Sequence, residues 1–257
     1  MGKVYLIGAG PGDPELLTLK AARLLSCANV VLHDSLVSAE VLAKISQDAE
    51  VVDVGKRCGR KLLTQDEINA LLVNYAASRE VVVRLKGGDP SIFGRAGEEL
   101  EALRKAQVEF EVVPGVTAAL GAAAAAGISL TDRRLASQVL LTTFSRGAGA
   151  NAMDWGCLTP ATTLVFYMPG PDYAEVAGRL RDAGLPADLP CVIVSGASGS
   201  QQQVRWSTAG ALSKEEKLPA PALMIVGRVA SRKIREIGDA FWRGDGDESA
   251  SETVSIS

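Results

Sequence analysis

Glycine-rich turns follow three of the β-prone runs in this sequence, and their residue types suit ligand binding. The turns span Gly8 to Asp13 (GAGPGD), Lys86 to Arg95 (KGGDPSIFGR) and Pro114 to Thr117 (PGVT). Backbone N–H groups exposed between a strand and a helix can bind a polar or anionic ligand. Because the carboxyl ends of parallel strands face one crevice, we expect the three turns to form a single site.

The first turn does not match the common nucleotide-binding motifs. Its glycines stand at positions 8, 10 and 12, whereas the dinucleotide fingerprint is G-x-G-x-x-G, and no G-K-[ST] follows. The carboxylate of Asp13 would also repel a pyrophosphate. An NAD-dependent oxidoreductase therefore remains an alternative that only the glycine content favours.

Composition excludes several other classes of protein. The chain has 257 residues, 22% of them charged, and a formal net charge of -3, which argues against a broad basic surface for nucleic acid. A single histidine and four cysteines without a C-x-x-C pair predict neither a metal centre nor a disulfide framework. The longest near-apolar stretch, 118–130, is too short to span a membrane, so we expect a cytoplasmic protein that binds no membrane.

Strands and helices alternate along the first part of the chain, which predicts a mostly parallel sheet covered by helices. The predicted strands are Val4–Ile7, Asn29–Leu32, Val51–Val54, Val81–Leu85 and Phe110–Val113. The predicted helices are Leu16–Leu25, Ala39–Ile45, Gln65–Ala77 and Gly97–Ala106. Thr64 and Glu67 form a plausible capping box at the start of the third helix.

Pro114 and Gly115 interrupt this pattern, and an alanine-rich helix over Thr117–Ala126 follows. Later strands are predicted at Gln138–Thr142, Thr163–Tyr167, Cys191–Val194 and Ala222–Val226, with a helix at Tyr173–Ala183. We place a domain boundary here, which gives an N-terminal α/β domain at 1–116 and a C-terminal α/β domain at 117–235. The acidic, serine-rich tail at 236–257 is expected to be disordered.

Four segments together resemble the tetrapyrrole methylase family. They are Gly8 to Thr18 (GAGPGDPELLT), Val54 to Arg57 (VGKR), Arg84 to Pro90 (RLKGGDP) and Val113 to Thr117 (VPGVT). The similarity extends from about Lys3 to Val229, and the two longest segments are specific on their own. The resemblance implies two α/β domains of the tetrapyrrole methylase type, with the cofactor S-adenosylmethionine bound in the cleft between them.

The resemblance also implies which residues contact the cofactor. From the first domain and the linking turn they are Pro11, Gly87, Gly88, Asp89, Ile92, Phe93, Thr117 and Ala118; from the second domain they are Met168, Ala197 and Ala222. Taken alone, Met168 would be assigned to a core, and two alanines offer only backbone contacts. Asp89 is the most informative, because a carboxylate beside two glycines at a strand end is poor core material.

The acid–base pair of the family falls on Asp34 and Lys56, which each follow a predicted strand and so lie at the same sheet edge. A turn-capping aspartate and a surface lysine are the ordinary alternatives. The implied substrate is polyanionic, so arginines near the motifs are candidates for binding it through charge-assisted hydrogen bonds. We assign Arg57, Arg95 and Arg133 to this role; Arg60, Lys61 and Arg134 are equally consistent with a solvated basic face.

The branch of the family most similar to this chain methylates uroporphyrinogen III at C-2 and C-7, giving precorrin-2 for sirohaem or cobalamin synthesis, and is commonly homodimeric. Two alternatives stay open: a sister enzyme that methylates a later precorrin, and a non-catalytic cofactor-binding module. Two of the departures from the family pattern bear on the choice of substrate. Asp132 stands where a histidine is frequent, and Phe144 where a Thr-Gly-His segment is frequent. Asp132 adds negative charge near the expected site of an anionic substrate.

Overall fold

A computed structural model describes residues 2–55, 63–144, 154–170 and 172–231. Within these residues the chain forms two five-stranded sheets with helices packed on their faces. The strands are β1 (Lys3–Gly8), β2 (Val30–His33), β3 (Glu50–Asp53), β4 (Val81–Lys86), β5 (Glu109–Val113), β6 (Gln138–Thr143), β7 (Thr162–Tyr167), β8 (Pro190–Ser195), β9 (Gln203–Thr208) and β10 (Ala222–Val226). The helices are α1 (Leu19–Ser26), α2 (Ala39–Leu42), α3 (Gln65–Ser78), α4 (Ala96–Lys105), α5 (Ala118–Ala126) and α6 (Tyr173–Asp182).

The first sheet is parallel throughout and has the order β3-β2-β4-β1-β5. Apart from Arg84 and Lys86 in β4, its central strands are apolar on both faces, as expected when helices cover both sides of a parallel sheet. Val4, Leu6 and Val82 pack towards α3 and α4. Ile7 and Val83 pack towards α1 and α2 on the opposite face. The predicted parallel α/β arrangement is confirmed for this part of the chain.

Helix α3 begins at the predicted capping box. The Thr64 hydroxyl accepts a hydrogen bond from the Glu67 backbone N–H at 3.2 Å, and the Glu67 carboxylate accepts one from the Thr64 backbone N–H at 2.6 Å. Two N–H groups that a helix start leaves unpaired are thereby satisfied. The cap fixes where α3 begins, and α3 in turn covers the face of the sheet that carries Val82.

The second sheet has the order β6-β7-β10-β8-β9 and is mixed. Among its described pairings, β6 and β7 run parallel, whereas β10 is antiparallel to β7 and β8, and β9 is antiparallel to β8. Strand β9 is absent from the predicted elements, because its sequence QVRWST lies half-buried at the sheet edge and lacks an apolar run. Helix α6 covers one face of this sheet.

Helix α5 covers the other face of the second sheet, although it directly follows the last strand of the first. Its buried residues Ala119, Ala122 and Ala126 pack in one core with Val192 and Ile225. The turn at 114–117 therefore leads the chain from one sheet to the core of the other. Among the described residues, no helix is both long and apolar enough to cross a membrane.

Candidate active site

The three glycine turns follow three neighbouring strands, β4, β1 and β5, and they meet as the strand order requires. The backbones of Gly10 and Gly88 exchange two hydrogen bonds, at 3.1 and 2.8 Å. A Cβ atom added to Gly115 would lie 2.3 Å from the carbonyl oxygen of Gly88 and 2.8 Å from the Cα of Gly8. Only glycine permits this approach at position 115.

The carboxylate of Asp89 links the second glycine turn to the third through hydrogen bonds. Its carboxylate accepts hydrogen bonds from the Ser91 backbone N–H at 2.8 Å, from the Ser91 hydroxyl, and from the Gly115 backbone N–H at 3.0 Å. Partial burial raises the pKa of Asp89, but the Ser91 hydroxyl and the two backbone donors outweigh it, so the net pKa is lowered. The carboxylate is thus a structural clamp at the sheet edge as well as a wall of the site.

A cavity of about 890 Å³ opens beside these turns, between the two sheets. The first sheet contributes turn residues and Asp34, and the second sheet contributes residues after β7 and before β10. All the predicted cofactor residues except Ala197 line it: Pro11, Gly87, Gly88, Asp89, Ile92, Phe93, Thr117, Ala118, Met168 and Ala222. Sequence positions far apart are therefore brought to one cleft.

Tyr167 joins the two sides of the cavity. Its ring lies against that of Phe93 with centroids 4.9 Å apart, and its hydroxyl is 2.6 Å from the Thr117 hydroxyl. The same hydroxyl accepts the Ala119 backbone N–H at 3.1 Å, which caps the start of α5. Phe93 and Met168 both have positive φ, 51° and 49°, a strained backbone that clusters at ligand sites.

Four charged side chains form a connected network under the cavity wall. The Arg84 guanidinium donates to the Asp34 carboxylate, and its Nε donates to Glu99 Oε1 at 2.9 Å. The Lys86 ammonium donates to both Glu99 oxygens at 3.0 Å. Glu99 has 0% exposed surface and Arg84 has 2%, whereas Asp34 and Lys86 line the cavity.

Burial and charge act in opposite directions on this network. Burial favours the neutral form of Lys86, and the positive charge of Arg84 adds to this effect. The carboxylates of Glu99 and Asp34 favour the charged form but are outweighed, so the pKa of Lys86 is lowered. Burial also opposes the charge of Arg84, but Asp34 and Glu99 more than compensate, and its pKa is raised. Two carboxylates and two cations thus balance one another, with three of the four side chains buried and Asp34 partly exposed at the cavity wall.

The remaining predicted residues do not line this cavity or lie outside the described residues. Lys56 and Arg57 fall outside them, as do Arg60 and Lys61. Arg95 is exposed and pairs with Glu98 on α4 at 2.7 Å, and Arg133 is exposed beside Asp132. Ala197 is buried in the core that contains α5, with its carbonyl close to Gly12 of the first turn. Their proposed roles stay predictions.

Asp132 forms local contacts instead of facing the cavity. Its carboxylate accepts hydrogen bonds from the Arg134 side chain at 2.9 Å and from the Arg134 backbone N–H at 2.8 Å. These bonds lower the pKa of Asp132 to about 2. The negative charge is therefore matched by a neighbouring arginine and lies outside the cavity lining. Phe144, the other departure, does line the cavity.

Sequence patterns assign no role to Arg84, Glu99 or Tyr167. Arg84 and Lys86 carry a usable signal, because they occupy alternate positions on one face of an otherwise apolar buried strand. Glu99 has no comparable signal: α4 contains other acidic residues, and only burial separates Glu99 from Glu98 and Glu101. Tyr167 sits beside the predicted Met168, but its hydroxyl contacts are long-range.

The cleft suits a ligand with polar, apolar and cationic parts. Backbone groups of the glycine turns can bind polar atoms, and Ile92, Phe93 and Met168 offer apolar surface. The carboxylates of Asp34 and Asp89 can stabilise a positive charge. S-adenosylmethionine has these three parts: a polar amino acid end, an adenine ring and a sulfonium. The described residues therefore fit this cofactor.

Comparison with known proteins gives consistent results. Residues 3–213 match the family model described as Tetrapyrrole (Corrin/Porphyrin) Methylases. The chain is 51% identical, over 90% of its length and 82% of the relative's, to a uroporphyrinogen-III C-methyltransferase of Paracoccus denitrificans. It is 46% identical to a siroheme synthase of Actinobacillus pleuropneumoniae, covering 95% of this chain but only 50% of that relative.

A solved structure agrees with the fold. It is the uroporphyrin-III C-methyl transferase of Thermus thermophilus complexed with S-adenyl homocysteine, with a TM-score of 0.78 and 40% identity over 89% of this chain and 98% of that one. The family match covers most of the chain and includes the three glycine turns that border the cavity. This chain belongs to the tetrapyrrole (corrin/porphyrin) methylase family.

Proposed function

We propose that this chain transfers methyl groups from S-adenosylmethionine to C-2 and C-7 of uroporphyrinogen III, giving precorrin-2 for sirohaem or cobalamin synthesis. The observation that carries the proposal is the cavity at the edge of the first sheet, where the glycine turns, Asp34 and Met168 lie together. The 51% identical Paracoccus relative supports this substrate over a later precorrin.

The cofactor supplies a methyl group already activated on a sulfonium, which an electron-rich pyrrole carbon displaces in line. The chain's own contribution is mainly positioning, which gives effective molarities of up to about 10⁵–10⁸ M in well-oriented systems. In the proposal, Pro11, Gly87, Gly88 and Asp89 hold the cofactor from the first sheet. Met168 and Ala222 hold it from the second, with Ile92, Phe93, Thr117, Ala118 and Ala197 completing the set.

Asp34 is proposed as the group that stabilises the positive charge of the methylated macrocycle or accepts the proton that it releases. Once the new carbon–carbon bond forms, the macrocycle carries a positive charge and must release a proton. Asp34 lines the cavity with one carboxylate oxygen held by Arg84; within the described residues its other oxygen has no hydrogen-bond donor. That oxygen can stabilise the cation or accept the proton. Lys56 is proposed as the acidic partner, and Arg57, Arg95 and Arg133 as contacts for substrate carboxylates.

The domain division at 116/117, a homodimeric state and a cytoplasmic location are further parts of this proposal. The division rests on the change of pattern at Pro114 and Gly115, the location on the lack of a long apolar segment, and the homodimer on the family resemblance. Light scattering on a size-exclusion column tests the homodimer: a mass near twice 26.8 kDa is expected. A monomer would contradict that part alone and leave the proposed reaction in place.

The activity test incubates the protein with methyl-labelled S-adenosylmethionine and uroporphyrinogen III under reducing conditions. We expect label in the tetrapyrrole and a product with the absorbance of precorrin-2 or its oxidised form. Label that appears only with a later precorrin would support the sister enzyme. Cofactor binding without transfer to either substrate would support a binding module and overturn the proposal.

A further inference from the structure

Arg84 and Glu99 form the buried part of the charge network, and the ligand contacts proposed above involve neither of them. Arg84 lies on β4, where its neighbour across the sheet is Leu32 on β2, two residues before Asp34. Its Nη1 atom donates to the carbonyl oxygens of Leu32 at 3.3 Å and Leu85 at 3.2 Å. Backbone atoms thus fix the guanidinium whose remaining nitrogens face Asp34 and Glu99.

Glu99 lies on the inward face of α4, between Ala96 and Leu103, and points at the end of β4. Its carboxylate accepts hydrogen bonds from Arg84 and Lys86, and also from the Gln65 side-chain amide of α3 at 3.3 Å. One fully buried carboxylate therefore holds both cations in place. The chain of contacts runs from Asp34 through Arg84 and Glu99 to Lys86, and both ends lie on the cavity wall.

Stability alone does not account for this arrangement. Replacing a buried ion pair by apolar side chains of similar volume is often neutral or stabilising, so a fold gains little from such a network. What the network does provide is two opposite charges at fixed positions. A group that must act on a developing charge is effective only when its geometry is set beforehand.

We propose that Arg84 and Glu99 are positioning residues for methyl transfer: they hold the Asp34 carboxylate and the Lys86 ammonium as fixed, opposite charges on the cavity wall. This inference rests on the proposed function, because it assigns the network a role in that reaction. Asp34 would lose its orientation if Arg84 moved, and Lys86 would lose its countercharge and one of its two acceptors if Glu99 became an amide.

The test compares two isosteric substitutions on α4. Glu99→Gln removes the buried charge, and Glu101→Gln removes an exposed charge that pairs with Lys105 one turn away at 2.7 Å. We expect Glu99→Gln to lower kcat by about 10- to 100-fold, as for a small misplacement of a reacting group. The KM for uroporphyrinogen III and the Kd for S-adenosylhomocysteine should stay close to those of the unsubstituted chain. Glu101→Gln should leave all three constants unchanged.

Arg84→Lys is the second variant, in case Glu99→Gln fails to fold. It keeps a positive charge in the network but cannot contact both carboxylates. It should therefore lower kcat while leaving KM and Kd close to the values of the unsubstituted chain. A folded variant of either kind with normal kcat would overturn the positioning role. So would a loss of S-adenosylhomocysteine affinity in parallel with kcat, which indicates a purely structural role. Absence of methyl transfer by the unsubstituted chain would instead contradict the proposed function, and the positioning role with it.

Discussion

The hydroxyl oxygens of Thr117 and Tyr167 lie 2.6 Å apart, and this contact joins the turn after β5 to the end of β7. Thr117 belongs to the edge of the first sheet, and Tyr167 is the last residue of a strand in the second. Since the Tyr167 hydroxyl also accepts the Ala119 backbone N–H, it holds the start of α5 beside the cavity. One phenol group therefore connects both sheets at the site.

Tyr167→Phe should weaken this connection. The substitution keeps the ring against Phe93 but removes two hydrogen bonds and leaves the Ala119 N–H without its partner. We expect the free energy of unfolding to fall by about 1–3 kcal/mol. Urea unfolding checks stability, and calorimetry with S-adenosylhomocysteine should show weaker binding. Tyr5→Phe on β1, where the ring contacts Lys3, is the matched control and should change neither value.

Asp89→Asn should show how the stability that the Asp89 hydrogen bonds contribute depends on pH. The hydrogen bonds at Asp89 lower its pKa below the ordinary value of an aspartate in the folded chain. A carboxyl whose pKa is lower when folded stabilises the fold above its unfolded pKa, and this contribution disappears as pH falls through the folded value. The stability difference between the two proteins should therefore be constant from pH 7 to about 5 and shrink below about 4. Urea titrations across this range measure it; a difference that grew on acidification would contradict the assignment.

Arg84→Met should be far more destabilising than the loss of an exposed arginine. It leaves the Glu99 carboxylate with less compensation in an environment without solvent, and such changes destabilise by about 3–5 kcal/mol. Arg134→Met, which removes the exposed partner of Asp132, is the control and should cause little change. Chemical unfolding of both variants at pH 7 checks the contrast. Equal effects would mean that Arg84 does not compensate a buried charge on Glu99.

Gly115→Ala should disrupt the meeting of the glycine turns. The new methyl group would overlap the carbonyl oxygen of Gly88 and the backbone of Gly8, and overpacking of this kind destabilises by about 1–3 kcal/mol. S-adenosylhomocysteine binding should weaken as well, because both turns line or support the cavity. Gly97→Ala in α4 is the control: no atom lies within 4 Å of the added Cβ, and alanine favours a helix. The control should be neutral or slightly more stable in thermal unfolding.

The sequence predicts the first sheet well because its signals are local. Apolar strands such as β2 alternate with amphipathic helices, and the capping box at Thr64 sets a helix start. The second sheet is less accessible to prediction. Its antiparallel pairings of β10 with β7 and β8 join strands that are not consecutive in the chain, and β9 presents alternating polar residues at an edge where burial is incomplete. Local patterns specify elements, whereas the direction of pairing depends on long-range connections.

The residues of the site also differ in how well the sequence predicts them. The glycine turns and Asp89 stand out in the sequence, because small residues and an acid at a strand end contribute little to a hydrophobic core. The Arg84–Glu99 pair does not stand out, since Glu99 sits among other acidic residues of α4 and differs from them only in being buried. Tyr167 can be identified as a site residue only from its contacts at the start of α5, which the local sequence does not show. Residues that act through other residues are visible only once the fold places them together.

Gly121 in α5 faces Pro11 in the first turn, and a Cβ there would lie 2.7 Å from the proline ring. Helix α5, which packs on the second sheet, thus contacts the first glycine turn of the first sheet at a residue that has no side chain. The distance between α5 and the first turn at this contact is consequently limited by the absence of a side chain at residue 121. A larger side chain at residue 121 would push α5 away from Pro11 and so alter how the second sheet's helix meets the first turn.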